Sequence, residues 1–294
     1  MASLKEVRNR INSIRSTQQI TRAMKMVSAS KLRRAQEAIM KMRPYSERLS
    51  AILNNLAASI EDSVENPFTE EREIKNVLIV SISSDRGLAG AFNSNIGKAV
   101  INLINEKYFD LHKSGKVTIL PIGKKSYDYF SRRNHTLQDQ YYGLFENLNF
   151  NSVRAAAEFA MNGFLDHKYD KVEVVYNEFK NVATQIVRTY QFLPIIPLAV
   201  DKSLKTNTNY IFEPSQEEIF KELIPKSLKV QFYKFILESN AAEHGARMTA
   251  MDKATENAGD LLKQLKLTYN QTRQAAITKE ILEIVGGAEA LNNA

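Results

Sequence analysis

The 294-residue sequence contains no cysteine and no tryptophan. The lack of cysteine excludes disulfide bridges, thiolate zinc sites, iron–sulfur clusters and cysteine nucleophiles. No apolar run approaches the roughly 18 to 20 residues that a membrane span requires, and the charged first residues lack the apolar core of a signal peptide. We therefore expect any association with a membrane to be peripheral.

Proline and glycine are scarce near both ends of the chain. No glycine precedes Gly87, Pro44 is the only proline before Pro67, and no proline follows Pro225. Because these residues interrupt helices, their distribution predicts two long helices that flank a compact domain. The predicted segments are an N-terminal coiled-coil helix at 1–66, an α/β domain at 67–225 and a C-terminal coiled-coil helix at 226–294.

Acidic residues are few in the first segment. Residues 1–48 carry a net charge of +9, whereas residues 49–225 carry −3 and residues 226–294 carry +1. A basic helix of this kind could bind nucleic acid or present a solvated face. Only Tyr45 accompanies its basic residues, so it lacks an aromatic platform for single strands, and we expect acidic protein surfaces as its partner.

Apolar residues recur every seven positions in the N-terminal segment, which is the pattern of a left-handed coiled coil. One column is Leu4, Ile11, Leu32, Ile39, Leu53 and Ile60, and the other is Val7, Ile14, Ala35, Met42, Leu49 and Leu56. Because the columns resume in phase after Pro44, we expect that proline to kink the helix without ending it. Between them the columns hold Gln18, Thr21, Lys25 and Ser28, which predicts that the apolar face moves to Ile20, Met24 and Val27.

The C-terminal segment is the predicted antiparallel partner. Its stripe is Met251, Ala254, Ala258, Leu261, Leu265, Thr268, Thr272 and Ala275. Farther along, five apolar residues spread over more of the helix than one partner can cover. They are Ile277, Ile281, Leu282, Ile284 and Val285, and they predict either a contact with another protein or burial against the chain's own domain.

The middle segment alternates strands and helices, which predicts a Rossmann-like α/β domain with a mainly parallel sheet. The predicted strands are 76–82, 116–120, 171–176 and 184–192. The predicted helices are 95–108, 124–133, one capped by Asn151 that ends at Leu165, and a short one at 216–223.

No catalytic motif was found in this domain. Residues 83–98 follow a strand and precede a helix, as phosphate-binding loops do. However, six residues separate Gly90 from Gly97-Lys98 where a P-loop has four, and Ala99 follows where Ser or Thr is required. The four histidines show no metal-ligand spacing. We therefore expect no catalytic residue, no metal and no cofactor.

Four segments together resemble the γ subunit family of F-type ATP synthases. They are ITRAMKMVSASKLRRAQ at 20–36, SSDRGLAGAFN at 83–93, EHGARMTAMDKATENAG at 243–259 and YNQTRQAAITKEILEIVGGAEAL at 269–291. The resemblance runs from end to end of the chain. It implies a non-catalytic central rotor stalk of a bacterial enzyme, whose coiled coil enters the hexamer of α and β subunits.

The same resemblance implies partners and contact residues. The base would meet the ε subunit and the c-ring of the membrane sector, so that proton flow turns the shaft on the cytoplasmic face of the plasma membrane. Met24 and Lys25 match a motif near the acidic loop of β, and Arg273 and Gln274 match a pair that contacts β. Ile277, Ile281, Leu282, Ile284 and Val285 match the apolar tip that turns in the hexamer's sleeve.

Two other classes of protein remain open from the residues alone. One is an autonomous coiled-coil adaptor or nucleic-acid-binding protein. The other is an α/β nucleotide enzyme, which would bind ATP as an isolated chain. Co-assembly with α and β subunits distinguishes both from a rotor subunit.

Overall fold

The computed structural model describes residues 3–59, 66–195 and 216–292. Contacts between residues group the chain into two compact units. The first, which we call the helical unit, comprises Met1–Ser28 and Met248–Ala294, and the second, the base unit, comprises Ala29–Arg247. The predicted division of the chain at residues 66 and 225 stays a prediction.

A five-stranded sheet forms the centre of the base unit, with the strand order β3-β2-β1-β4-β5. The strands are β1 Val77–Ile82, β2 Val117–Ile122, β3 Thr136–Leu137, β4 Lys171–Phe179 and β5 Gln185–Leu193. Strands β1 to β4 are parallel, and β5 pairs antiparallel with β4. The predicted α/β sheet is therefore confirmed, and the sequence missed only the two-residue β3.

Helices cover both faces of the sheet. They are α1 Leu4–Ser59, α2 Phe92–Lys107, α3 Phe109–Lys113, α4 Lys124–Ser131, α5 Phe150–Leu165 and α6 Gln216–Asn292. Val77 and Ile79 of β1 pack with α2 and α4. Leu78 and Val80 pack on the other face with α5 and the first part of α6. This alternation follows from the period of two in a strand, and burial on both faces requires the continuous apolar run.

Three predicted helix starts were wrong, the first being that of α2, which begins at Phe92 and not at residue 95. The cap of α5 is Asn149, whose side chain accepts a hydrogen bond from the Ser152 backbone amide at 2.9 Å. Asn151 lies inside the first turn. The short helix predicted at 216–223 and the long one predicted from residue 226 are one helix, α6, which contains Pro225 near its start.

The first part of α6 belongs to the core of the base unit. Ile224, Leu228, Phe232, Phe235 and Ile236 are buried in the cluster that packs on α5 and the sheet. Such packing compensates for the hydrogen bond that Pro225 cannot donate. Helix α1 likewise continues through Pro44, as predicted.

The heptad columns of α1 are largely confirmed. Val7, Ile11, Leu32, Ala35 and Leu49 are buried, and the other described members of the columns are half-buried. The burial of Leu56 and Ile60 lies outside what the structure describes.

Candidate interaction surface on the paired terminal helices

Within the helical unit, the start of α1 packs against α6 through apolar side chains. The cluster is formed by Val7, Ile11, Ile14, Leu262, Leu265 and Tyr269. The predicted stripe of α6 is confirmed at its buried members Met251 and Ala258. It is wrong at Thr268 and Ala275, which are exposed, because the contact face passes through Leu262 and Tyr269 instead.

The next part of this seam is polar. The Thr21 and Thr255 hydroxyls are 2.8 Å apart, and the Gln18 amide donates to the Thr255 carbonyl at 3.3 Å. Lys25 Nζ lies 2.5 Å from an Asp252 carboxylate oxygen. Each polar side chain therefore has a partner across the helix pair, which removes the main cost of placing it at a contact.

The prediction that the apolar face moves to Ile20, Met24 and Val27 was wrong for the contact within the chain. Ile20 is 58% exposed and Val27 is 57% exposed, whereas Thr21 and Ser28 are buried. The seven-residue repeat of inward-facing positions continues through this stretch because the hydroxyl and amide groups form hydrogen bonds across the helix pair. Ile20, half-buried Met24 and Val27 thus form an outer apolar stripe on a helix whose inner face is polar.

The polar seam leads to a stability prediction. Each threonine hydroxyl also lies within hydrogen-bond distance of a backbone carbonyl of its own helix, so the one that accepts across the pair can donate its single proton to that carbonyl. Replacing both partners by apolar residues of the same shape removes polar burial without stranding a group. We expect Thr21→Val/Thr255→Val to raise the free energy of unfolding by ~1 kcal/mol. Denaturant titration of the chain measures this, and a loss of stability for the double variant contradicts it.

The structure does not bring the two predicted pairs of contact residues together. Lys25 lies opposite Asp252, and Arg273 is 21 positions farther along α6, a distance of roughly 30 Å at 1.5 Å per residue. Arg273 and Gln274 are exposed, and Arg273 has no ion pair within residues 3–59, 66–195 and 216–292. These residues form two separate candidate contacts on one helix pair.

The predicted apolar tip is exposed. The exposed fractions of Ile277, Ile281, Leu282, Ile284 and Val285 lie between 48% and 67%. The alternative in which this helix end is buried against the chain's own domain is therefore wrong. The two helices run antiparallel, since Lys25 lies opposite Asp252 and Thr21 lies opposite Thr255. Continuing this register places the start of α1 level with about residue 274 of α6. Helix α6 continues beyond it without a helical partner among the described residues.

Side chains fill the crevice at the carboxyl ends of β1 and β4, where sheets of this order bind ligands. Phe92, Ala89 and Ala242 are buried there together, with Phe179 packed against them. The preceding segment, residues 83–91, is the β1–α2 loop. The side chains of Ser84 and Asn93 fix the start of this loop. They form a hydrogen bond with each other, and the Ser84 backbone amide donates to Asn93 Oδ1.

A buried charged cluster of α6 lies beside this loop, within the segment 243–259 to which the sequence assigned no contact role. Arg247 Nη1 contacts a Glu243 carboxylate oxygen at 2.5 Å, and both residues are 7% exposed. Burial, followed by the charges of Arg247 and Lys31, lowers the pKa of His244 to about 4. Burial also raises the pKa of Glu243, although the charge of Arg247 acts to lower it. The i, i+4 spacing of Glu243 and Arg247 was the available signal.

Two features are absent from the described part of the chain, a metal-ligand cluster and a membrane-spanning helix. No group of three or more histidine, aspartate or glutamate side chains there could hold a metal ion. No helix there has an apolar stretch long enough to cross a membrane.

Comparisons with known proteins agree with these features. Residues 3–291 match the model of the ATP synthase family. The chain is 66% identical to the ATP synthase gamma chain of Cytophaga hutchinsonii, with 100% of both chains covered. It is 55% identical to the ATP synthase gamma chain of Flavobacterium johnsoniae, with 99% of this chain and 100% of the relative covered.

Solved structures share the fold. A central stalk and c-ring structure of Tetrahymena thermophila mitochondrial ATP synthase contains a chain with a TM-score of 0.58 and 27% identity, covering 80% of this chain and 99% of that one. A Euglena gracilis mitochondrial ATP synthase structure contains one with a TM-score of 0.64 and 19% identity, covering 98% and 94%. The chain therefore belongs to the family of ATP synthase gamma chains, the non-catalytic central-stalk subunits of that complex.

Proposed function

We propose that this subunit is the rotating shaft that couples proton flow through the membrane c-ring to ATP synthesis and hydrolysis on the β subunits. The paired terminal helices stand inside the hexamer of α and β subunits, and the base unit meets the ε subunit and the c-ring. The catalytic chemistry takes place on β. The other candidate, an adaptor or nucleic-acid-binding protein, has no support in the comparisons, since both curated relatives are gamma chains over their full length.

The observation that carries this proposal is the apolar surface that the helical unit leaves exposed. Ile20 and Val27 lie outward beside a polar seam, and the tip of α6 exposes five large apolar side chains. Contiguous apolar surface of this kind marks a protein contact. A helix pair that places threonines inside and isoleucine outside is suited to being surrounded by other subunits.

The exposed stripe offers contact without deep interlocking. A shaft that passes three β subunits in turn cannot form a tight, shape-locked interface with any one of them, because each departure would then cost the whole binding energy. Met24 is half-buried and has the unbranched side chain that adapts to irregular contacts, and Val27 is exposed. Such contacts favour particular angles of the shaft by modest amounts of free energy.

Charge adds an attraction of longer range. Arg8, Arg10, Arg15 and Arg22 are all exposed, and they have no ion-pair partner anywhere in the described part of the chain. Acidic loops of β are the partner that the proposal assigns to them. Because the charges face solvent, their effect on coupling should weaken as salt is raised.

The proposed location is the cytoplasmic face of the bacterial plasma membrane, held there as a peripheral part of the ATP synthase complex. Both curated relatives reported above come from bacteria. Attachment through the c-ring and ε requires no membrane insertion of this chain.

Reversing the charge of Lys25 tests the coupling role. We expect Lys25→Glu to lower ATP-driven proton pumping by about fivefold, the factor for ~1 kcal/mol of lost interaction, while hydrolysis falls less. The variant also places two carboxylates together at Asp252, which disturbs the helix pair. Arg273→Glu tests the second contact without that complication, because Arg273 has no ion pair among the described residues.

The assay uses the α, β, γ and ε subunits reassembled with the membrane sector, and compares the pumping rate with the hydrolysis rate. Lys263→Glu is the matched control, since Lys263 is 81% exposed on the same helix and pairs only with Asp260. An equal loss of pumping and hydrolysis in Lys25→Glu and Arg273→Glu contradicts the coupling role. Failure of the wild-type chain to assemble with α and β contradicts the whole proposal.

A further inference from the structure

Arg247 joins α6 to the β1–α2 loop within the base unit. Its Nη2 donates to the Arg86 carbonyl at 3.0 Å, and its Nε and Nη2 lie 3.4 Å from the Gly87 carbonyl. The guanidinium is buried, and Glu243 one turn earlier holds it at 2.5 Å. A planar guanidinium can reach both the carboxylate and the loop because its donors are fixed in a fork.

The loop beyond this contact has an unusual conformation. Leu88 has a φ of +62°, a region that side chains other than glycine rarely adopt, and its side chain is 65% exposed. Ala89, the next residue, is 1% exposed and packs with Ala242 of α6. The loop is thus held on α6 on both sides of Leu88, by Arg247 before it and by Ala89 after it.

The surroundings keep the guanidinium charge in place. Glu243 compensates the charge of Arg247, and the neighbouring His244, which lies 3.4 Å from Nη1, is neutral near pH 7 because burial lowers its pKa. A second cation at that position would repel Arg247. A buried charge network of this type is costly unless each member is satisfied, so its presence indicates a defined arrangement.

We propose that Arg247 is a positioning residue that fastens the β1–α2 loop to α6, so that the loop and its exposed Leu88 move with the helix when torque acts on it. This inference rests on the proposed function, because only a rotating subunit transmits torque. Arg247 touches no substrate and acts through the loop it holds. Without this tether, load on α6 would be partly absorbed by displacement of the loop.

The test uses the complete, reassembled ATP synthase with Arg247→Lys or Arg247→Met. Lysine keeps the charge but cannot bond the carboxylate and both carbonyls at once, and methionine keeps only the apolar stem. Lys229→Met is the matched control, since Lys229 lies on α6 in the same unit and pairs with Glu158 at 2.7 Å, away from the loop. Hydrogen exchange of the amides at 86–90 and the ratio of proton pumping to hydrolysis are measured for each complex.

For Arg247→Met we expect loop exchange to rise by about tenfold, as loss of charged hydrogen bonds predicts, with a lower pumping ratio. For Arg247→Lys we expect both loop exchange and the pumping ratio to lie between those of Arg247→Met and the wild type. If the methionine variant does not assemble, the lysine variant is the test. Lys229→Met should leave loop exchange and the ratio unchanged. Unchanged loop exchange, or faster exchange with a wild-type ratio, overturns the inference. A wild-type complex that hydrolyses ATP without pumping would instead overturn the proposed function.

Discussion

Gly123→Ala is expected to destabilise the base unit by at least ~3 kcal/mol, which combines the cost of a side chain in this conformation with overpacking against fixed atoms. Gly123 has a φ of +99°, and a Cβ there would lie 2.4 Å from the Ser83 carbonyl oxygen. The clashing atom belongs to the backbone at the end of β1, so no rotamer change relieves it. The loss can be measured by thermal or denaturant unfolding.

Two other glycines separate the causes of this effect. Gly115 has a φ of +69° but nothing within 4 Å of its missing Cβ, and Gly143 has neither constraint. We expect Gly115→Ala to cost ~1 kcal/mol through the backbone alone, and Gly143→Ala to lie within about 0.5 kcal/mol of the wild type. Equal losses for the variants at 123 and 115 would show that the close approach to Ser83 contributes nothing.

Gly123 matters because it joins two elements of the sheet's carboxyl edge. The Ser126 amide donates to the Ser83 hydroxyl at 2.7 Å, and the Ser126 hydroxyl lies 2.7 Å from that of Ser81. The Lys124 amide donates to Asp85 of the β1–α2 loop at 3.0 Å. Displacing Gly123 would disturb these bonds and the loop that Arg247 holds.

The sheet was predictable because its strands are short apolar runs bounded by turn residues. Val77–Ile82 is buried at every position, as its uninterrupted apolar sequence indicated. The cap of α5 was harder to place, because Asn149 and Asn151 both precede the apolar positions. Only the hydrogen bond from the Ser152 amide to Asn149 decides between them.

The orientation of α1 at residues 18–28 could not be predicted from hydrophobicity. Ile20, Met24 and Val27 form the most apolar face of the helix over these residues. In an isolated helix pair that face would be buried. In this chain Thr21 lies inward instead, because Thr255 offers it a hydrogen-bond partner. The pattern reflects two contacts, one within the chain and one proposed with other subunits, and the sequence alone does not separate them.

The limits of the base unit were also hidden in the sequence. Helix α6 passes from the base unit to the helical unit between Arg247 and Met248 as one continuous helix, and although Gly245 lies two residues earlier, no proline marks this point. The predicted boundary at residue 225 followed Pro225, which in the structure lies near the start of the helix. A proline marks a helix limit only where tertiary packing does not compensate for it.

Truncation after Thr278 is expected to weaken assembly of the complete complex while leaving some rotation. The deletion removes four of the five exposed apolar side chains of the tip, and retains Ile277. Burial of a large apolar side chain contributes about 1.5–3 kcal/mol, so even partial burial of Ile281, Leu282, Ile284 and Val285 in a sleeve of α and β subunits amounts to several kcal/mol. We expect rotation to persist because the stripe at Ile20 and the proposed contact residue Arg273 remain.

The truncation also removes charged residues and helix length, so a full-length variant must separate these effects. Replacing Ile281, Leu282, Ile284 and Val285 by serine keeps the length and should reproduce the loss of thermal stability of the complex. Replacing Lys279, Glu280 and Glu283 by serine is the matched control, since Lys279 and Glu283 form only an exposed ion pair at 3.6 Å, which contributes little. Thermal inactivation of ATP hydrolysis measures all three variants. Wild-type assembly and inactivation temperature in both the truncated and the apolar-to-serine complexes would mean that the exposed tip makes no stabilising contact with the surrounding subunits.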